Sequence, residues 1–499
     1  MQHRAKTLMI QGTCSNAGKS FIVAGICRAL RNEGVRVAPF KAQNMSLNSY
    51  VTLGGEEIGR AQALQAQACG LEPVTEMNPV LLKPNTHTGS QVILMGKPIA
   101  SMEARTYFEY KTKLFDTVKE SFDCLARKFD VVILEGAGSP AEINLKAHDI
   151  VNMRMARYAK SPVLIATDID RGGAFASLIG TMDCLDDWEQ ELTAGFILNK
   201  FRGDASLLDD ALTYTTEKTG KPFFGVLPFL PDLGLPEEDS VTFKESGFEH
   251  QGGKDEHCLD IGCIDLPHIS NFTDFDALAL EPDVRMRLIR THEDLRAKRP
   301  DCLIIPGSKS TLADLAFLRK NGLAEAIRDF ATTGGMLVGI CAGFQMLGEG
   351  ISDPLGLESD CEQAPGLGLL PMATELGEHK TLTRSVREHI PSGLSVSGYE
   401  IHHGRTCILD NGKSVPIFSD TSDVAGLANP QGNVWGAYVH GLFDADGFRR
   451  YVLDRLRVPK GLAPKGAVQV SYNVEEGLDR LGRAMVEHLD WDRIKGMLE

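Results

Sequence analysis

The chain has 499 residues, room for about three domains and for large cores that need no disulfide or metal staple. Hydrophobic residues at 43% and charged residues at 24% are globular values, which excludes disordered, collagenous and coiled-coil classes. A net charge of −15 excludes a non-specific grip on nucleic acid, so any polyanionic substrate must be met by local basic groups.

In chain order, apolar runs at 7–11, 35–39, 131–135, 163–167, 194–199 and 223–227 predict strands. After the first, Phe21, Ile22, Ala24, Gly25, Ile26, Ala29 and Leu30 recur at three and four residues, which predicts an amphipathic helix. Fully apolar strands alternating with helices predict a parallel sheet covered on both faces, here a domain over 1–235. Residues 236–258 hold Pro236, an acidic run and a Gly-rich polar run, the composition of a linker. A second α/β block is expected over 259–457, with strands near 302–305, 336–340 and 435–439, then a helical tail over 458–499. The eleven cysteines are odd in number and scattered, unlike a disulfide framework, and Leu8-Met9-Ile10 is too short for a signal-peptide core. No run of about 18 apolar residues predicts a membrane span, so a cytoplasmic enzyme is expected.

The first strand runs into Gly12-Thr13-Cys14-Ser15-Asn16-Ala17-Gly18-Lys19-Ser20 and then a helix, the order of a phosphate loop. Loop amides and the helix N-terminus donate to phosphate oxygens, Lys19 adds charge, and Ser20 offers an oxygen to Mg²⁺. Five residues separate Gly12 from Gly18, one more than the usual four. Glu135, Asp168 and Asp170 close other apolar strands, where side chains face the ligand crevice of an open α/β sheet. Asn199 closes another and is a candidate for reading an adenine edge.

Met336-Leu337-Val338-Gly339-Ile340-Cys341-Ala342-Gly343-Phe344 reads as a nucleophile elbow, a strand ending on a cysteine between glycines before a helix. The helix start lowers the thiol pKa and supplies oxyanion amides such as that of Phe344; a backbone amide at Gly307 could complete the hole. A thiolate nucleophile needs a base. His440 sits at a strand end, with His402 and His403 as competitors. His257, Cys258, Cys263 and His268 are ligand-type residues without a zinc spacing.

A thiolate that releases ammonia from glutamine, joined to an ATP site that activates a carboxylate, makes an amidoligase. Beyond this reading, the chain resembles the glutamine-dependent cobyric acid synthase family over almost its whole length. The resemblance rests on the phosphate loop, on Pro39-Phe40-Lys41-Ala42-Gln43-Asn44-Met45-Ser46 and on Glu57-Ile58-Gly59-Arg60-Ala61-Gln62. It extends through Glu135-Gly136-Ala137-Gly138-Ser139-Pro140, Asp168-Ile169-Asp170-Arg171-Gly172-Gly173, Pro267-His268-Ile269-Ser270-Asn271-Phe272-Thr273-Asp274 and the Cys341 and His440 segments. The five-residue phosphate loop is similar to that of dethiobiotin synthetase.

The resemblance implies an α/β fold, with a dethiobiotin-synthetase-like P-loop sheet before a class I-like glutamine amidotransferase domain. It implies ATP, Mg²⁺ and glutamine, and amidation of the b, d, e and g carboxylates of adenosylcobyrinic acid a,c-diamide. No nucleic-acid or membrane partner is implied, and a homo-oligomer is allowed. By the same resemblance Cys341 is the nucleophile and His440 its base. Lys19, Ser20, Glu57 and Glu135 form the phosphate and Mg²⁺ set, Lys41 lies near the transferred phosphoryl, and Asp149 lies on the substrate side. Many relatives carry an acid two residues after the histidine; here Leu442 stands there, leaving Glu400 and Asp444 as substitutes. Lys83, Arg105, Arg154, Arg171 and Arg202 are candidates to line the mouth of the crevice against a polycarboxylate. The rival readings are cobyrinic acid a,c-diamide synthase and a nucleotide-switched binding ATPase with a decayed amidotransferase domain.

Overall fold

Residues with apolar side chains on both faces of an extended chain are stable only inside a sheet covered on both sides. In the computed structural model, which describes residues 4–84, 89–236, 257–358, 361–410, 412–419 and 424–499, six such strands pair in parallel. Their spatial order is Phe223–Pro228, Thr193–Phe201, Val163–Asp168, Lys6–Gly12, Val131–Glu135, Val37–Phe40. All six expected strands are present. The run expected at 35–39 starts later, at Val37, because the Val35 amide is still closing the preceding helix onto Leu30. The sheet belongs to a first unit made of Met1–Ser46, Glu56–Pro236 and Asn473–Glu499.

Helix Lys19–Asn32 buries Ile22, Val23, Ile26 and Leu30 in the same core as Leu478, Leu481 and Met485 of helix Val474–His488. Their crossing is close: a Cβ on Gly25 would stand 2.6 Å from Met485 Cγ. Arg28, buried in the helix, pairs with Glu475 and Asp479, both at 2.7 Å. The expected tail 458–499 therefore divides, and residues 473–499 are part of the first unit's core. A second sheet in this unit, Gln43–Met45, Val80–Pro84, Gly89–Leu94 and Lys97–Glu103, is absent from the sequence reading. Val80-Leu81-Leu82 and Val92-Ile93-Leu94 are apolar runs the reading passed over, flanked by the three-residue Gln43–Met45 and the largely exposed Lys97–Glu103, which carry no such signal.

The second unit comprises Leu47–Gly55 and Glu237–Tyr472. Its main sheet runs Val284–Ile289, Leu259–Ile264, Cys302–Ile305, Met336–Ile340 and Val434–Ala437 in parallel, then Gly426–Ala428 and Val415–Pro416 antiparallel. The strand expected over 435–439 ends at Ala437, because by His440 the backbone has left the sheet to pair with Tyr399. A long antiparallel hairpin, Met372–His389 with Leu394–Ile408, packs within this unit and was not expected. Most of the expected linker, 237–256, lies outside the described residues.

Candidate active sites

In the first unit the carboxyl ends of four neighbouring strands carry the phosphate loop, Glu135, Asp168 and Asn199, the crevice position of an open parallel sheet. Gly18 has φ +88°, and a Cβ on it would lie 2.0 Å from Asn199 Nδ2, so only glycine fits this cradle. Asn199 holds the loop directly, donating to Ala17 O at 2.9 Å, while Lys200 Nζ donates to Asn16 O at 2.9 Å and pairs with Asp168 at 2.8 Å. Lys19 Nζ reaches Cys14 O at 2.8 Å and Gly138 O at 3.1 Å, and Thr13 and Thr167 share a hydroxyl contact at 3.0 Å.

Glu135 is a buried hub. Its Oε1 accepts from Ser20 Oγ at 2.8 Å and Lys41 Nζ at 2.7 Å, and its Oε2 accepts from Gln65 Nε2 at 2.6 Å. Burial opposes charge on this carboxyl, but the Lys41 ammonium and the hydrogen bonds from Gln65 and Ser20 hold it below its ordinary value. Gln65 escaped the sequence reading, because a glutamine inside a helix carries no motif.

Around this site, Glu57 pairs with Lys83 at 2.7 Å, both side chains buried. Lys83 is therefore not a solvated charge at a crevice mouth, as the sequence suggested, but the partner of a buried acid. Asp149 caps the following turn, accepting from the amides of Val151, Asn152 and Arg154. Arg171 and Arg202 keep half-exposed side chains near Asp168 and Asp170, and Arg105 is exposed. The Arg154 guanidinium stands 4.4 Å from the centre of the Phe115 ring.

The second unit builds the elbow as expected. Cys341 stands at φ 52°, ψ −107°, a conformation that a side chain adopts only when its surroundings impose it. Glycines make the turn possible: a Cβ on Gly343 would meet Ile305 O at 2.0 Å, and one on Gly339 would meet Gly343 O at 2.6 Å. The first amides of helix Ala342–Met346, Phe344 among them, lack helical partners, as at any helix start. Gly307 approaches from the adjacent strand end, where a Cβ would come within 3.1 Å of His440 Cε1.

His440 is buried, and its ring is oriented by an acid that the sequence did not reveal. Nδ1 lies 2.8 Å from Asp274 Oδ2, and the Gly441 amide donates to Asp274 Oδ1 at 2.7 Å. Neither proposed substitute fills this place: Glu400 pairs with Arg387 at 2.8 Å and His402 at 3.4 Å, while Asp444 closes the turn onto Gly441. Burial alone would favour the neutral imidazole, but the Asp274 carboxylate and the Cys341 sulfur outweigh it, and the ring is pushed up to about 10. The Cys341 sulfur is close enough to act on the ring both as charge and as hydrogen-bond partner, and it also lies 3.6 Å from Ile401 O. His402 stacks on Tyr438 at 3.7 Å between ring centres, and His403 contacts Gly377 O at 3.2 Å. His402 also has an acid beside it, Glu400 at 3.4 Å, but His440 holds its own at 2.8 Å and has the Cys341 sulfur as a partner.

Residues 8–243 match the CobQ/CobB/MinD/ParA nucleotide binding domain, and residues 260–448 match the CobB/CobQ-like glutamine amidotransferase domain. A cobyric acid synthase of Nitratidesulfovibrio vulgaris is 51% identical over 100% of this chain and 98% of its own. A bifunctional adenosylcobalamin biosynthesis protein CobDQ of Leptospira interrogans is 50% identical over 98% of this chain and 57% of its own length. A cobyric acid synthase of Pelotomaculum thermopropionicum is 46% identical over 99% of this chain and 97% of its own.

Proposed function

The chain belongs to the cobyric acid synthase family, and on that premise we propose that it converts adenosylcobyrinic acid a,c-diamide to adenosylcobyric acid. It is an ATP-dependent, glutamine-hydrolysing amidoligase of cobalamin biosynthesis, acting on the b, d, e and g carboxylates. The observation that carries the reading is the elbow thiol beside an imidazole held by Asp274, on a chain that also bears a phosphate loop against a buried carboxylate.

In the glutaminase half, the Cys341 thiol proton is held on His440, as the raised basicity of the ring allows, and the sulfur attacks the side-chain carbonyl carbon of glutamine. Amides at Phe344 and Gly307 face the oxygen as it gains charge. His440 returns the proton to the leaving nitrogen, ammonia departs and a thioester remains. Water, deprotonated by His440, then releases glutamate. Asp274 fixes the tautomer throughout and stabilises the imidazolium.

In the synthetase half, a substrate carboxylate attacks the γ-phosphorus of ATP, ADP leaves, and ammonia then displaces phosphate from the acyl phosphate. The amides of Thr13 to Gly18 and Lys19 hold the phosphates, Asn199 fixes the loop, and Lys41 lies where charge moves to the transferred phosphoryl. Ser20 and Glu135, 2.8 Å apart, offer the hard oxygen donors that Mg²⁺ prefers, and the ion would neutralise phosphate charge there. Arg171 and Arg202, with half-exposed guanidinium groups, would supply positive charge to the substrate carboxylates, and Asp149, whose oxygens cap the turn at Val151 to Arg154, would act on the substrate side by shaping that turn.

Mass spectrometry of the corrinoid diamide incubated with the protein, glutamine and Mg·ATP tests the reading. Stepwise replacement of OH by NH₂ at four carboxyls, each consuming one ATP, is expected; an unmodified corrinoid refutes it.

A further inference from the structure

Two contacts to the glutaminase machinery come from a remote part of the sequence. Leu47–Gly55 belongs to the second unit although the chain around it does not. The Ser49 amide donates to Asn271 Oδ1 at 2.9 Å, with both residues buried. Asn271 stands at φ 52° at the head of Phe272–Phe275, the short turn that carries Asp274. On the other side Tyr50 meets Tyr399 edge to face, with ring centres 4.9 Å apart at 66°. Tyr399 in turn lies over the His440 ring at 5.4 Å and 25°, and the two exchange backbone hydrogen bonds at 2.8 and 3.1 Å. Arg384 holds the segment as well: its Nε donates to Val51 O at 2.9 Å and its guanidinium stands 5.0 Å from the centre of the Tyr50 ring.

We propose that Ser49 and Tyr50 are positioning residues of the glutaminase site, bracing Asp274 through Asn271 and His440 through Tyr399. The inference rests on the amidotransferase reading of Cys341 and His440. Asp274 fixes His440 at Nδ1 but leaves the ring free to tilt about that bond. Tyr399 limits the tilt by covering one face, and Tyr50 keeps Tyr399 from swinging away. Asn271, in a conformation unusual for a side chain, is kept there by accepting the Ser49 amide, and the turn that sets Asp274 follows from it. Small displacements of a catalytic imidazole are costly, because proton transfer demands close alignment of donor and acceptor. In the sequence this brace lies between Lys41 and Glu57, so a stretch implicated in ATP chemistry also supports amide hydrolysis.

The test measures glutamine kcat and KM for Tyr50→Ala, Tyr50→Phe and Asn271→Ala in the full chain, beside amidation supported by ammonium. Tyr50→Ala and Asn271→Ala should lower glutaminase kcat about tenfold with KM held within about twofold, and ammonium-supported amidation should persist. Tyr50→Phe, which keeps the ring, should restore most of kcat. An unchanged kcat in Tyr50→Ala overturns the proposal. So does a parallel fall of kcat, glutamine affinity and ammonium-supported amidation, which is the mark of a merely structural role. A wild-type protein that hydrolyses glutamine yet never amidates the corrinoid would defeat the substrate assignment and leave the brace testable on glutaminase alone.

Discussion

At the scale of single residues, the nucleophile and its base were legible because each sits in a local pattern: glycine on either side of Cys341, a strand end before His440. Asp274 was not, being 166 residues from the histidine it orients. Its segment, Pro267 to Asp274, stood out only as part of the family resemblance, without a role. Asp274→Asn should cut glutaminase kcat by about a hundredfold or more, since the ring loses both its tautomer and its stabilising charge. The same pair makes a stability prediction. The His440 ring is raised from 6.5 to about 10, so its contribution is complete below about pH 6.5 and lost as pH rises through about 10. Melting temperatures across that range should fall for the wild type and fall less for Asp274→Asn. Cys341→Ser should abolish synthesis from glutamine while leaving synthesis from ammonium, measured by corrinoid mass.

At the scale of elements, the six parallel strands were readable because burial on both faces forces unbroken apolar runs. The long hairpin over 372–408 was not, because its strands are only part-buried and mix charged with apolar positions. The tail over 458–499 was expected to be helical but not to hold part of a core, since a helical pattern does not show what covers its buried face, here that of Val474–His488. Leu481→Ala, which empties a site between that helix and Lys19–Asn32, should cost about 3 kcal/mol by urea unfolding. Gly343→Ala should do its harm at the elbow: the added methyl collides with Ile305 O, and labelling of Cys341 by diazo-oxo-norleucine should slow sharply.

At the scale of the whole molecule, two chemistries share one chain, and the variants should separate them. Lys19→Met should stop synthesis with either nitrogen source, because no acyl group is activated, while Cys341 remains open to alkylation by the glutamine analogue. Net charge and composition foretold only that local basic groups must meet a polycarboxylate; they did not say which, and Lys83 proved to be committed inside. The interleaving of the two units also bears on attempts to dissect the protein. A cut within 237–256 would leave the amidotransferase fragment without Leu47–Gly55 and the nucleotide-binding fragment without the helices after Asn473. Free-standing halves would have to be made by grafting those pieces back across the cut, not by dividing the gene once.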